Sequence, residues 1–144
     1  MAVARSEKEF LVGTDFSPSS RRALRLADEL GRKHGARVVV IHVVSPVYQV
    51  EGIDASAYVR EARQRAERQL AKLKPQPAEA LIRIGDPADE LVATAKARRA
   101  DLLVVGTRAQ SALARWLLGS VAQRVLHAAP CPVLVVPSAS KRGS

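Results

Sequence analysis

Short apolar runs alternate along the whole chain with longer segments in which apolar residues recur every three or four positions. Short runs rich in β-branched residues are typical of buried strands, and the longer spacing is typical of helices with one apolar face. The pattern predicts five strands, separated by helices, at residues 10–14, 36–44, 79–85, 101–106 and 131–137. Because these runs are continuously apolar, we expect a parallel sheet with helices on both faces, in a single-domain, Rossmann-like α/β fold.

Start and stop signals bound two of the predicted helices. Ser17 and Pro18 are typical of a cap and a first helical residue, and Gly35 suits the left-handed position just past a helix end. Asp86 and Pro87 mark a second start of the same kind. Between these two helices, apolar residues at helical spacing predict a further helix. These residues are Val59, Ala62, Ala66, Leu70 and Leu73.

The stretch LLGSVAQRVL, residues 117–126, has two interpretations. In the first, Ser120 and Gln123 form a capping box, so that a helix starts at Ser120 and Gly119 belongs to the turn before it. The free backbone N–H groups of such a start would bind an anion. In the second, one helix runs over residues 112–128 and tolerates Gly119, at a cost of about 1 kcal/mol relative to alanine. The pattern does not decide between them.

The length of 144 residues fits one domain, which we expect to span residues 1–137 and to be followed by a disordered basic tail at 138–144. With two Phe, two Tyr and one Trp, the core must be mainly aliphatic. No apolar run reaches the roughly 18 residues of a membrane span, and the first ten residues hold no apolar stretch of signal-peptide length. The expectation is therefore a cytoplasmic protein without membrane contact.

The formal net charge is +9, from 23 Lys and Arg against 14 Asp and Glu. Part of this charge lies in residues 60–74, where basic residues outnumber acidic ones. A solvated helix face or an anionic partner would each explain the cluster. Nucleic acid is not favoured as that partner, because the few aromatic residues are dispersed and no recognition motif is present.

Few residues suggest catalysis or metal binding. The single cysteine, Cys131, excludes an internal disulfide, and the three histidines are scattered without metal-ligand spacing. His42, inside an apolar strand, is interpreted as a structural residue. No nucleophile has a base beside it, and neither the P-loop motif nor GxGxxG occurs. We therefore predict no catalytic residue and no metal site, and the chain is more typical of a binding protein than of an enzyme.

Two predicted strand ends share one pattern. Residues 12–17 (VGTDFS) and 104–111 (VVGTRAQS) each place a glycine and small polar residues after an apolar strand. In parallel sheets, ligands bind beyond the carboxyl ends of the strands, where the strand order reverses. Glycine allows a ligand backbone or phosphate to approach closely there. Asp15 is the one carboxylate at such an end, where it can face a ligand or simply form the turn.

In residues 10–24, 80–106 and 106–137, the chain resembles the universal stress protein family over nearly its whole length, with the segments in the same order. The resemblance implies a small stress-response protein with a five-stranded parallel sheet in the order 3-2-1-4-5. Strands 1 and 4 would then lie side by side, so that Asp15 and the loop after Gly106 flank one crevice.

The nucleotide-binding branch of that family carries a glycine, two residues, a glycine, nine residues, and a final glycine followed by Ser or Thr. Gly106, Ala109 and the pair Gly119-Ser120 stand at these positions. The resemblance implies that the chain binds an adenine nucleotide, ATP accompanied by Mg²⁺ or Mn²⁺. The residues implied are Gly13, Thr14, Asp15 and Val43 for the adenine side, Gly106, Thr107, Arg108 and Ala109 for the ribose and inner phosphates, and Gly119, Ser120 and Val121 for the outer phosphates.

Ala109 departs from the family motif, which has glycine at that position. If the glycine needs a left-handed backbone, alanine costs roughly 1–2 kcal/mol, which weakens binding about tenfold without abolishing it. Two alternatives for the function stay open. One is a family member that binds no ATP and acts as a dimeric interaction protein, and the other is a slow ATP hydrolase.

The last predicted strand suggests self-association. VLVV, residues 133–136, is an apolar run between Pro132 and Pro137, and the implied strand order puts it at the sheet edge. Such an edge invites pairing with another chain, and in the family this strand commonly pairs with its own copy across a two-fold axis. We therefore expect a homodimer. The alternative is a monomer whose short edge is guarded by the two prolines.

Overall fold

Strands and helices alternate along the chain as the hydrophobic pattern predicts. A computed structural model describes residues 7–46, 51–52, 54–107 and 118–138. The strands are β1 (Lys8–Gly13), β2 (Ala36–Val44), β3 (Glu79–Ile84), β4 (Leu102–Gly106) and β5 (Val133–Val136). The helices are α1 (Pro18–His34), α2 (Ala55–Ala71), α3 (Pro87–Arg98) and α4 (Ser120–Ala128). None of these helices is both long and apolar enough to cross a membrane.

The five strands form one parallel sheet in the order β3-β2-β1-β4-β5. This confirms the predicted fold class and strand order. β1 lies at the centre, between β2 and β4, and it begins two residues earlier than predicted because the polar residues Lys8 and Glu9 pair with Ala36 and Arg37. The central position of β1 places its carboxyl end beside those of β2 and β4.

The sheet separates two apolar layers, because alternate residues of each strand point to opposite faces. One layer joins the sheet to α3 and α4 through Leu11, Val39, Ile41, Ala88, Leu91, Ala95, Leu103, Val105, Ala122 and Val125. The other joins it to α1 and α2 through Val12, Ala23, Leu24, Ala27, Val38, Val40, Leu70, Val104 and Val136. Helices therefore cover both faces, and the core is aliphatic as the composition predicts.

The two sheet edges differ in how well they are covered. β3 is the less buried strand, and its last residue, Ile84, is 43% exposed. The neighbouring helix α2 buries only Ala66 and Leu70. At the opposite edge, β5 is half-buried over three residues and fully buried at Val136.

The predicted helix signals of α1 and α3 are confirmed. The Ser17 hydroxyl accepts from the Ser20 N–H at 3.3 Å, and the Asp86 carboxylate accepts from the Asp89 N–H at 3.0 Å. Gly35 has the left-handed φ of 67° that a helix end requires. Both caps satisfy first-turn N–H groups that would otherwise have no acceptor.

A cluster of ion pairs closes the amino end of the sheet, opposite the strand ends that face the predicted site. The Glu9 carboxylate is buried and accepts two hydrogen bonds from the Arg98 guanidinium, at 2.8 and 2.9 Å. Arg98 also reaches Glu79 at 2.8 Å, and Arg37 lies 3.4 Å from both carboxylates. The cluster ties β1, β2 and β3 to α3.

Candidate functional site

A cavity of about 300 Å³ lies at the carboxyl ends of β1, β2 and β4, between the first turns of α3 and α4. Apolar side chains from the sheet and from both helices line it, and they are Ile41, Val43, Leu91, Val105 and Val121. Its polar groups are the Asp15 carboxylate and the hydroxyls of Thr14, Ser17, Ser20, Thr107 and Ser120. A mainly apolar cavity with a few convergent polar groups is typical of a small-molecule site.

The structure brings together nine of the predicted site residues. Gly13, Thr14, Asp15, Val43, Gly106, Thr107, Gly119, Ser120 and Val121 all line the cavity. Arg108 and Ala109 lie outside the described residues, as do residues 112–117 and the tail from 139 onward. The roles of these positions toward a ligand therefore stay predictions.

The loop between β1 and α1 presents Asp15 at the cavity. The Asp15 carboxylate accepts from the Ser17 N–H at 3.0 Å, so it forms a turn and lines the cavity at once. Phe16 has a left-handed φ of 63°, and its carbonyl accepts from the Arg21 side chain at 3.0 Å. These bonds constrain the loop that carries the carboxylate.

His42 contacts this loop and is not among the residues that line the cavity. Its Nδ1 lies 2.8 Å from the Thr14 carbonyl, and because a carbonyl only accepts, Nδ1 carries the proton and donates. Its ring packs on Phe16 with centroids 4.7 Å apart. The interpretation of His42 as a structural strand residue is confirmed.

The two glycines at the ends of β1 and β4 allow close approach of the protein's own chain. A Cβ on Gly106 would contact the Ser19 hydroxyl and lie 2.7 Å from the Ser19 carbonyl carbon and the Ser20 nitrogen. A Cβ on Gly13 would lie 2.9 Å from a methyl group of Leu91. The sequence pattern suggested approach by a ligand, and the structure provides a packing reason for both glycines.

The start of α4 is the one helix start without a side-chain cap among the described helices. The helix begins at Ser120 and Gly119 precedes it, which confirms this part of the first interpretation. The predicted capping box is wrong, because the cap residue is Gly119 and not Ser120. The Gln123 side chain instead donates to the Leu118 carbonyl at 2.8 Å. The alternative of one continuous helix over residues 112–128 is also wrong, since residues 118–119 are not helical.

This uncapped start faces the cavity. The Gly119 N–H donates to the Thr107 carbonyl at 3.1 Å, which fixes the turn against the end of β4. The N–H groups of the next three residues, 120–122, have no acceptor within the described part of the chain, and all three residues line the cavity. Free N–H groups at the positive end of a helix dipole bind anions.

Thr107 carries the one buried side-chain oxygen without a hydrogen-bond partner in the described residues. The residue is 7% exposed and lines the cavity beside the start of α4. By contrast, the nearby hydroxyls of Thr14, Ser17 and Ser20 bond to one another at 3.1 and 3.2 Å. Since a buried hydroxyl without a partner costs free energy, Thr107 is suited to receive a ligand group.

The α3 side of the cavity was missed by sequence reasoning. Pro87 and Leu91 line it, although neither was among the predicted site residues. α3 connects the edge strand β3 to β4, so it must cross the faces of β2 and β1 on the way. No signal in the sequence alone indicates that crossing, because it depends on the strand order.

Arg124 of α4 bridges two carboxylates at the start of α3. Its guanidinium lies 2.9 Å from the Asp86 carboxylate and 2.8 Å from that of Asp89. The hydrogen bonds from Arg124 and from the Asp89 N–H hold the pKa of Asp86 below its ordinary value. The bridge therefore joins the two helices whose first turns form the cavity walls.

The free N–H groups at the start of α4 are the part of the cavity that suits an anionic ligand. Asp15 is the one charged residue among its described lining residues. No group of three or more His, Cys, Asp or Glu side chains in the described ranges is arranged to hold a metal. Cys131 lies away from the cavity, half-buried against the core, and burial raises the pKa of its thiol.

Comparisons with known proteins agree with this architecture. The family model described as "Universal stress protein family" matches residues 7–137. A universal stress protein of Thermus aquaticus is 38% identical over 135 residues, which cover 90% of this chain and 98% of the relative. A solved structure of a family protein from Burkholderia pseudomallei is similar with a TM-score of 0.74 at 30% identity, covering 90% of this chain and 96% of that one.

A second solved structure, a universal stress protein in complex with cAMP, is similar with a TM-score of 0.63 at 32% identity. The similarity covers 92% of this chain and 98% of that protein. The family model and the relatives each span nearly the whole of the described fold. This chain belongs to the universal stress protein family.

Proposed function

We propose that this protein binds an adenine nucleotide, with ATP as the ligand, in the cavity at the carboxyl ends of β1 and β4. The observation that carries the proposal is the uncapped start of α4: residues 120–122 line the cavity, and their N–H groups have no acceptor within the described part of the chain. Three convergent N–H groups form a site for a phosphate group. The other described helix starts are capped by their own side chains and offer no comparable site.

The rest of the cavity suits a nucleoside attached to that phosphate. The apolar residues Ile41, Val43 and Leu91 provide a surface for a flat base. Asp15 can accept hydrogen bonds from an exocyclic amine or a hydroxyl group, and the Thr107 hydroxyl has unused bonding capacity beside α4. A ligand with a base, a sugar and phosphates would therefore meet suitable groups along the whole cavity.

The relative in complex with cAMP supports the ligand class. That protein is 32% identical to this chain and shares its fold over nearly the whole length of both. An adenine nucleotide bound to a protein of this similarity supports binding of the same class of ligand here. The choice of ATP rests on the pair Gly119-Ser120, which stands where the nucleotide-binding branch of the family has its final glycine and Ser or Thr.

A divalent cation would enter with the nucleotide. Mg²⁺ prefers oxygen ligands and commonly keeps several waters while it binds substrate phosphates. The described lining offers one carboxylate, Asp15, together with hydroxyl groups, which is too few for a resident ion. Mg²⁺ or Mn²⁺ would thus be held mainly by the phosphate oxygens of ATP.

Replacing Ser120 by proline tests the phosphate site directly. Proline is tolerated at the first helical position, and Gly119, with φ −62° and ψ 159°, already has the conformation that precedes proline. Ser120→Pro therefore removes one N–H group of the site without disturbing the helix. We expect ATP binding measured by calorimetry to weaken by about tenfold, as for the loss of one charge-assisted hydrogen bond.

The matched control is Ser120→Ala, which removes the hydroxyl group and keeps the N–H. If the backbone binds the phosphate, this variant binds ATP within about threefold of the wild type. Circular dichroism shows whether both variants keep their helix content. Equal affinity of Ser120→Pro and wild type would place the phosphates elsewhere, and absence of ATP binding by the wild type would contradict the proposed function.

We also propose that the protein forms a homodimer through the free edge of β5. Leu103 N–H donates to the Pro132 carbonyl and Thr107 N–H to the Val136 carbonyl, both at 3.0 Å. Because backbone groups alternate in direction along a strand, the N–H and carbonyl groups of residues 133 and 135 point away from β4. An apolar edge strand with outward donors and acceptors is suited to pair with a second copy.

A further inference from the structure

The ion-pair cluster of Arg124, Asp86 and Asp89 joins the two walls of the cavity. Arg124 donates through both terminal nitrogens, one to Asp86 at 3.0 Å and one to Asp89 at 2.8 Å. Asp86 caps α3 with the same carboxylate, and the next residue, Pro87, lines the cavity. The cluster therefore adjoins the cavity wall at Pro87, although its own three residues do not line the cavity.

Arg124 and the residues of the proposed phosphate site belong to the same helix. It follows Ser120 by four residues, which is about 6 Å along a helix axis. Side chains in a helix tilt toward its N-terminus, which directs the Arg124 side chain toward the first turn of α4. Its two carboxylate partners lie 2.9 and 2.8 Å from that guanidinium, at the start of α3.

The cluster carries two negative charges and one positive charge. Asp86 is ionised at neutral pH, since its pKa is lowered, and Arg124 stays charged because both carboxylates raise its pKa. No other cation pairs with Asp86 or Asp89 within the described ranges. Without Arg124, two uncompensated carboxylates would lie beside the helix start whose N–H groups are free.

We propose that Arg124 is a positioning residue that adapts the cavity to phosphorylated ligands by neutralising Asp86 and Asp89 beside the start of α4. The inference rests on the proposed nucleotide binding and adds a charge requirement to it. Arg124 does not contact the ligand in this role. It acts through the two carboxylates, which would otherwise repel the phosphates, so its effect must grow with the charge of the ligand.

A purely mechanical role gives a different expectation. If Arg124 only held α3 and α4 together, its loss would alter the shape of the cavity for every ligand. Adenosine, AMP and ATP would then lose affinity by the same factor. The dependence of the loss on ligand charge thus separates neutralisation of the carboxylates from support of the walls.

The test is calorimetric binding of adenosine, AMP and ATP to the wild type and to Arg124→Gln at low ionic strength. We expect ATP to bind about fivefold more weakly to the variant, AMP about twofold, and adenosine nearly unchanged, as for one charge acting across a few ångströms of solvent-exposed surface. At high salt the loss for ATP should shrink, because exposed charges are screened.

Two further variants separate charge from geometry. Arg124→Lys keeps the positive charge without the two-pronged contact, and we expect it to bind ATP nearly as the wild type does. The double variant Arg124→Gln with Asp89→Asn restores the net charge of the cluster without the bridge, and we expect it to recover most of the lost ATP affinity. Thermal unfolding of each variant verifies that it is folded.

Two results would overturn the inference and leave the proposed function intact. They are an equal loss of affinity for all three ligands, and unchanged ATP affinity in Arg124→Gln, each with a wild type that binds ATP. A wild type that binds none of the three ligands would contradict the proposed function, and the inference that depends on it would fail for that separate reason.

Discussion

At the scale of single residues, the glycines of the site show how one position can serve packing and binding together. Gly106 lies against the backbone of α1, where even a methyl group would meet the Ser19 and Ser20 main chain. This contact lets α1 begin directly beside β4. Glycine is required there by the protein's own chain, whatever ligand the cavity holds.

The first prediction compares alanine at Gly106 and at Gly13. At Gly106 the new Cβ meets backbone atoms, which cannot move aside, and we expect Gly106→Ala to lower the free energy of unfolding by about 2 kcal/mol. At Gly13 it meets the flexible end of Leu91, so Gly13→Ala should cost less than about 1 kcal/mol. Urea unfolding of both variants measures the difference. Equal costs would show that the backbone of α1 adjusts as easily as the Leu91 side chain.

At the scale of elements, the helix starts divide into two kinds. α1, α2 and α3 satisfy their first N–H groups with Ser17, Asp54 and Asp86, while α4 begins at a glycine that has no side chain to do so. α4 therefore begins without a side-chain cap at the cavity. The missing cap lowers the stability of the helix and leaves its first backbone N–H groups as donors for a ligand. This contrast is the main support for the proposed phosphate site.

The second prediction belongs to the scale of elements. It concerns the ion pairs of Glu9, Glu79, Arg37 and Arg98 at the amino ends of the strands. Within the described residues, Arg98→Ala leaves the buried Glu9 carboxylate with only the 3.4 Å contact to Arg37, and we expect a loss of about 2 kcal/mol in the free energy of unfolding. Arg37→Ala removes the longer and more exposed contact and should cost less than about 1 kcal/mol. Chemical denaturation compares the two.

Ligand affinity provides the control for this pair of variants. The cluster lies at the end of the sheet opposite the cavity, so neither variant should change ATP binding by more than about twofold. A large change in ATP affinity of a folded Arg98→Ala protein would mean that α3 transmits the loss of the Arg98 ion pairs to its first turn.

At the scale of the whole molecule, the strand order gives the sheet two different edges. β3 ends in the exposed Ile84, and β5 carries the apolar residues 133–136 beside a groove lined by Arg22, Arg25, Leu26 and Glu29 of α1. Only the β5 edge combines an uninterrupted apolar strand with outward backbone groups at residues 133 and 135. It is the edge that we propose for the dimer.

The third prediction tests that dimer by sedimentation equilibrium. The wild type should sediment at twice the chain mass of 15.5 kDa. Leu134→Lys places a charge on the edge, and Val135→Pro removes an outward N–H without touching the bonds to β4, so both should shift the protein to the monomer mass. Ile84→Lys on the opposite edge is the matched control and should leave the dimer intact. A wild type at the monomer mass would contradict the proposal.

Much of the architecture followed from the sequence, because it rests on local chemistry. Continuous apolar runs require burial on both faces, which made a parallel sheet between helices the expected solution. The caps at Ser17 and Asp86 and the left-handed Gly35 depend on residues next to one another in the chain, and all three were predicted correctly. The strand order came from the family resemblance, since periodicity does not encode which strands are neighbours.

The tertiary structure decided what depends on distant segments of the chain. It placed the start of α3 in the cavity wall, set the Arg124 bridge between α4 and α3, and left the Thr107 hydroxyl without a partner among the described residues. It also replaced the predicted capping box by an uncapped Gly119. Contacts of this kind form only once the sheet has brought β1 and β4 side by side, so no local pattern could have revealed them.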